Sequence, residues 1–180
     1  MSTAAIQPLQ GVRILSLALN LPGPAALWRC ADMGADCKKL EPLAPGGGGA
    51  DPMGLYCPSA YAQMHERVQT QQADLKAEAG QQALHALLAE TDVLLTSFRP
   101  SALTKLGLGW EALQQRYPQL SLVRVVGSTG ELADVPGHDL TYQAEAGLVH
   151  STQLPPSLFA DMAGALMASE AVLKAMLISS

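Results

Sequence analysis

Aromatic residues make up only 4% of this 180-residue sequence, although 48% of it is hydrophobic. Large rings therefore cannot fill the interior, and a core of closely packed Ala, Leu and Val is expected. Basic residues are also few: 11 Lys and Arg stand against 16 Asp and Glu, for a net charge of −5. No basic run is present that could track a nucleic-acid backbone, which argues against nucleic acid as a partner. Cys30, Cys37 and Cys57 are an odd number without C-x-x-C spacing, so neither a disulfide framework nor a metal site is expected. No secretory leader is visible, and free thiols in a reducing, cytoplasmic setting are the expectation. An uninterrupted apolar run of membrane length is missing too. The stretch "LFADMAGALMASEAVLKAMLI", residues 158–178, carries Asp161, Glu170 and Lys174 inside it. It is read as a buried helix rather than a span, with Met162 and Met167 filling gaps in the core.

What is present alternates. "VRILSLA" (12–18) has strand length, and "LPGPAALWRCADMGAD" follows with proline at a helix start and glycine at its end. "DCKKLEP" (36–42) reads as a second strand stopped by proline. "EAGQQALHALLAE" from Glu78 places Leu84, Leu87 and Leu88 on one helical face, and "TDVLLTSF" reads as a buried strand. "GWEALQQRYP" gives a short helix and "LSLVRVVG" another strand. The length fits one domain over residues 1–180. The alternation predicts an α/β fold, a Rossmann-like, mostly parallel sheet with helices on both faces. Ligands of such sheets lie beyond the carboxyl ends of the strands, here the loops after Ala18, Leu40, Leu95 and Val126. The Gly/Pro stretch "PLAPGGGGADPMG" (42–54) lacks the GxxxxGK[ST] pattern of a phosphate cradle and is read as a flexible loop.

Candidate chemistry falls in two places. His138 and Asp139, in "PGHDLTYQAEAGL", follow the last strand, where a ligand belongs. His138 is either a catalytic base or a polar turn residue, with Asp139 capping the helix that follows it. Asp161, among Leu, Phe, Ala and Met, is expensive to bury unless paired or used. A helix beginning near Phe159 would favour its ionised form, as a nucleophile or base requires; the other reading is a first-turn capping acid. Arg99, in "TSFRPS", suits an anion contact, whereas His65 and His85 are read as structural.

Several of these stretches, taken together, resemble the class III CoA-transferase family, which includes carnitine and formyl-CoA transferases and alpha-methylacyl-CoA racemases. The resemblance is carried by "LQGVRILSLALNLPGPAALWRCADMGADCKKLEP", by "TDVLLTSFRPSALTKLGLGWEALQQRYPQLSLVRVVG", by "PGHDLTYQAEAGL" and by "FADMAGALMASEAVLKAML", in that order. It implies that Asp161 matches the aspartate that attacks an acyl-CoA thioester in the transferases. It also implies that His138, with Asp139 beside it, matches the racemases' second acid/base group, which tilts the chemistry towards racemisation. Leu40, Arg67, Phe98, Arg99, Gly137 and Tyr142 would contact coenzyme A, the acyl-CoA being the substrate. The chain departs from the family at "HERVQT", where a basic segment is usual and only Arg67 remains, and at "GADPMG", which lacks an arginine. The resemblance covers the family's N-terminal portion, and the family's second, smaller domain is expected to be missing. A homodimer, or a partner chain supplying the other half, is expected. The alternative to an enzyme is a non-catalytic or split-gene subunit that keeps the fold.

Overall fold

The computed structural model describes residues 6–179 apart from 45, 47 and 48. Five strands form one sheet: β1 (Arg13–Ser16), β2 (Asp36–Glu41), β3 (Val68–Gln72), β4 (Val93–Thr96) and β5 (Ser121–Arg124). Their order is β3-β2-β1-β4-β5, and every neighbouring pair is parallel. Alternation along the strands splits the core in two. Ile14, Val93 and Leu95 face one side, where they meet Leu27 and Cys30 of α1 (Pro22–Asp32) and Val172 of α8 (Phe159–Ser179). Leu15 and Leu94 face the other, against Leu84 and Leu88 of α4 (Glu78–Leu88), Leu103 of α5 (Pro100–Lys105) and Leu113 of α6 (Trp110–Arg116). Burial on both faces is what makes β1 and β4 continuous apolar runs instead of alternating ones.

Pro22 opens α1 and Gly34, at φ +96°, follows its end, as the sequence predicts. Gly23 has a packing reason as well, because a β-carbon there would lie 2.6 Å from that of Ala18. The strand and the helix it feeds can approach this closely only without a side chain.

Among the elements not foreseen are three between β2 and α4. Two short helices, α2 (Pro52–Tyr56) and α3 (Pro58–Met64), follow the Gly/Pro stretch, and β3 is added at the sheet edge. The end of "PLAPGGGGADPMG" is therefore helical, with Asp51 capping α2 by accepting the Met53 N–H at 2.9 Å. Within that stretch Leu43 and Gly49 form an antiparallel bridge, while Pro45, Gly47 and Gly48 lie outside the described residues.

The last helix also differs from expectation. α8 covers one face against α1 through Ala165, Ala168, Ser169 and Val172, and Arg29 Nε donates to Ser169 Oγ at 3.0 Å. Its other face is open: Met162 is 53% and Met167 69% exposed, so neither fills the core. A helix apolar all round has no preferred face in its sequence, and β5, α1 and the short helix Asp139–Glu145 together cover only part of it. Among the described residues no helix is long and apolar enough to cross a membrane.

Candidate functional site

The chain turns from β1 to β2 and β3 in one direction and to β4 and β5 in the other, so the sheet has its switch point between β1 and β4. An open cavity of about 1050 Å³ lies at the carboxyl ends of these strands. Leu19 and Asn20 after β1, Ser97 and Arg99 after β4, and Gly127 after β5 all line it. Three of the four loops expected to hold chemistry thus meet at one place. Of the described residues in the segment after β2, only Tyr56, at the end of α2, joins them.

Asp139 and Asp161, 22 residues apart, are brought together here. Asp139, 7% exposed, does not cap its own helix. That helix, α7 (Asp139–Glu145), has His138 at its N-cap, and the His138 N–H lies 3.4 Å from Thr141 Oγ1. Asp139 reaches across to α8 and accepts the Asp161 N–H through Oδ1 at 3.0 Å. Its other oxygen accepts from Gln143 Nε2, which also donates to the Ser157 carbonyl at 2.9 Å. The carboxylate satisfies one of the orphan amides of the α8 first turn and sets where Asp161, the third residue of that helix, stands. Gln143 and its role are not foreseen from sequence; the only hint is its i+4 spacing from Asp139.

Asp161 is half-buried, and that burial raises its carboxyl above the ordinary range. The charge of Asp139 pushes the same way and His138 opposes. The helix begins at Phe159 as expected. His138 is exposed at the cavity wall. Tyr142 is wedged over two glycines; a β-carbon at Gly127 would fall 1.8 Å, and one at Gly137 2.4 Å, from its hydroxyl. Arg99 is the one Lys or Arg among the lining residues.

The remaining expected coenzyme A contacts lie elsewhere. Leu40 is 2% exposed in the core on the α4 side of the sheet, and Phe98 packs against the same cluster. Arg67 is on the surface, 3.5 Å from Asp32 Oδ1. These three side chains do not line this cavity: strand register points Leu40 into the core, Phe98 packs against the same side, and Arg67 stands beside β3 at the far edge of the sheet. His85 Nδ1 lies 2.8 Å from the Tyr117 hydroxyl.

An open cavity at the switch point of a parallel sheet, with two acids at its wall, marks an α/β domain of the kind that takes its ligands beyond the strand ends. The family model for CoA-transferase family III matches residues 9–179, and the chain belongs to that family. It is 35% identical over 155 residues to a cinnamoyl-CoA:phenyllactate CoA-transferase of Clostridium sporogenes, covering 79% of this chain and 36% of that protein. It is 33% identical to a probable fatty acyl-CoA transferase of Mycobacterium tuberculosis, over 95% of this chain and 47% of the relative. A solved structure of a CAIB/BAIF family protein from Brucella suis superposes with a TM-score of 0.82 at 28% identity, covering 96% of this chain and 50% of that one. The chain thus spans between a third and a half of the length of these relatives.

Proposed function

We propose that the cavity is an acyl-CoA site at which CoA is transferred between carboxylic acids through Asp161. The observation that carries this reading is the Asp139 bond to the Asp161 N–H, which fixes an acid at the cavity wall with its side chain left for chemistry. The Asp161 carboxylate attacks the thioester carbonyl; the C–S bond breaks, the CoA thiolate leaves and a mixed anhydride forms. The thiolate then attacks the aspartyl carbonyl of the anhydride, the donor acid departs as carboxylate, and an aspartyl-CoA thioester remains. An acceptor carboxylate reverses the sequence with a new acyl group. Arg99 would meet an anionic part of the ligand, with Gly137 and Tyr142 shaping its seat. A single lining cation is little for a ligand carrying phosphates, so weak binding by this chain alone is expected.

A second reading is supported by His138 lining the same cavity close enough to act on the Asp161 charge. Two acid/base groups about one α-carbon would racemise a 2-methylacyl-CoA. A third, a non-catalytic or split-gene subunit working with a partner chain, draws support from the single Lys or Arg among the described lining residues. Hydroxylamine trapping during incubation with acyl-CoA and an acceptor acid separates these readings. An adduct at Asp161, lost in Asp161→Ala, is the expected result. Transfer without an adduct would overturn it, α-deuterium exchange abolished by His138→Ala would support racemisation, and binding without either reaction would support the third reading.

A further inference from the structure

Lys39, in the strand "DCKKLEP", is the largest fully buried side chain among the described residues. Its ammonium sits 2.5 Å from Asp51 Oδ2, 2.8 Å from Glu41 Oε1 and 3.1 Å from His65 Nε2. An ammonium has three N–H donors and no acceptor, so all three are used and His65 must accept through Nε2. His65 then carries its proton on Nδ1 and donates it to the Tyr61 carbonyl at 2.6 Å. Burial lowers the His65 pKa, which also favours the neutral ring. Tyr61 closes the cluster by donating its hydroxyl to Glu41 Oε1 and laying its ring 4.9 Å from Lys39 Nζ. Buried ion pairs of this kind give little net stability compared with apolar packing, so the cluster calls for another reason to exist.

The other oxygen of Asp51 supplies one. Oδ1 accepts the Asn20 N–H at 3.0 Å and the Met53 N–H at 2.9 Å. Asn20 is the one non-glycine residue at positive φ, +63°, among the described residues, and a backbone in that region persists only where its surroundings hold it. Met53 lies in the first turn of α2, which ends at Tyr56. Asn20 and Tyr56 both line the cavity, and the Tyr56 phenol, raised first by its burial, also feels the Asp161 charge. We propose that Asp51, with Lys39 as its buried counter-ion, is a positioning residue that holds the cavity wall carrying Asn20 and Tyr56. The proposal rests on the cavity being the transfer site. Lys39 fixes the Asp51 carboxylate through one oxygen so that the other is free to bind the two amides.

Two double variants in one background test it: Lys39→Met/Asp51→Asn and Lys39→Met/Asp51→Leu. Both lose the ammonium and the Asp51 charge, and only the first keeps an acceptor for the two amides. Amide exchange is followed by mass spectrometry on peptides covering residues 19–24 and 51–57. The Asn variant is expected within about threefold of the parent and the Leu variant at least about tenfold faster in these peptides, with β4 unchanged in both. Equal exchange in the two variants overturns the proposal. Lys39→Met/Asp51→Ala replaces the Leu variant if that one does not fold. With acetyl-CoA and hydroxylamine, the Leu variant should form the Asp161 adduct about tenfold more slowly at saturation, while half-saturation stays within about threefold. An unchanged saturating rate overturns the positioning role, since a merely structural residue would leave it alone. A parent chain that forms no Asp161 adduct refutes Asp161 as nucleophile, and the exchange comparison then decides the role of Asp51 by itself.

Discussion

Asp161 holds its proton more tightly in the fold than in the unfolded chain, because burial and then Asp139 raise its pKa. For an acid raised in this way, the contribution favours folding below the unfolded value and turns against it as pH rises through the folded one. Asp161→Asn is neutral at every pH and close in shape. It should therefore be more stable than the parent at pH 7, and the difference should vanish as pH falls below about 3.9, the ordinary aspartate value. Urea unfolding across that range checks the sign; a parent more stable than the variant at pH 7 would mean that the helix end outweighs burial after all. Asp139 works in the opposite sense. Asp139→Ala removes the cap on α8 and should cost about 1 kcal/mol, within the usual 0.5 to 2 for lost caps, measured by the same unfolding. Neither role is legible one residue at a time. His138, Asp139 and Asp161 stand out in the sequence by type and place, but the partner of Asp139 is 22 positions away and that of Asp51 is 31. Tertiary neighbours of this kind leave no trace in local spacing.

Elements were legible where hydrophobicity carried them. β1, β4, α1 and α4 announce themselves by apolar runs or faces bounded by glycine and proline, because both sides of the sheet are covered. β3 does not, since "VQTQQ" at the edge is exposed from Gln69 to Gln72 and owes its conformation to backbone pairing with β2. α2 and α3 are too short for periodicity, and α2 depends on a cap whose own position is set by Lys39. The β1–α1 junction gives the sharpest element-scale prediction. A β-carbon at Gly23 would meet the Ala18 β-carbon at 2.6 Å and its carbonyl oxygen at 2.7 Å, neither of which is the yielding tip of a side chain. Gly23→Ala should cost about 1 to 3 kcal/mol as overpacking and widen the cavity mouth by displacing α1 from the strand. A thermal midpoint equal to that of the parent would show that the junction can open without strain.

At the scale of the molecule, one surface is out of keeping with the rest. Leu154 is 80%, Phe159 50%, Met162 53%, Leu166 51% and Met167 69% exposed, and all lie on α8 or the segment leading into it. Contiguous apolar surface of this kind usually marks an interface rather than a solvated face. It also borders the cavity, which Leu154, Leu158 and Met167 line. Anything that covers the face would roof the cavity and shut water out from Asp161, strengthening the electrostatics there. We therefore expect the purified chain to associate with itself, most simply as a two-fold dimer, with a mass that rises over a dilution series from about 1 to 100 μM, the range set by a modest interface. Met162→Lys/Leu166→Lys should return it to a monomer, since two ammonium groups would have to lose water on association, and should leave the folded far-ultraviolet circular dichroism intact. Light scattering on both proteins decides it. A parent chain that stays monomeric at the highest concentration would show that the apolar face is tolerated in water and that self-association does not roof Asp161.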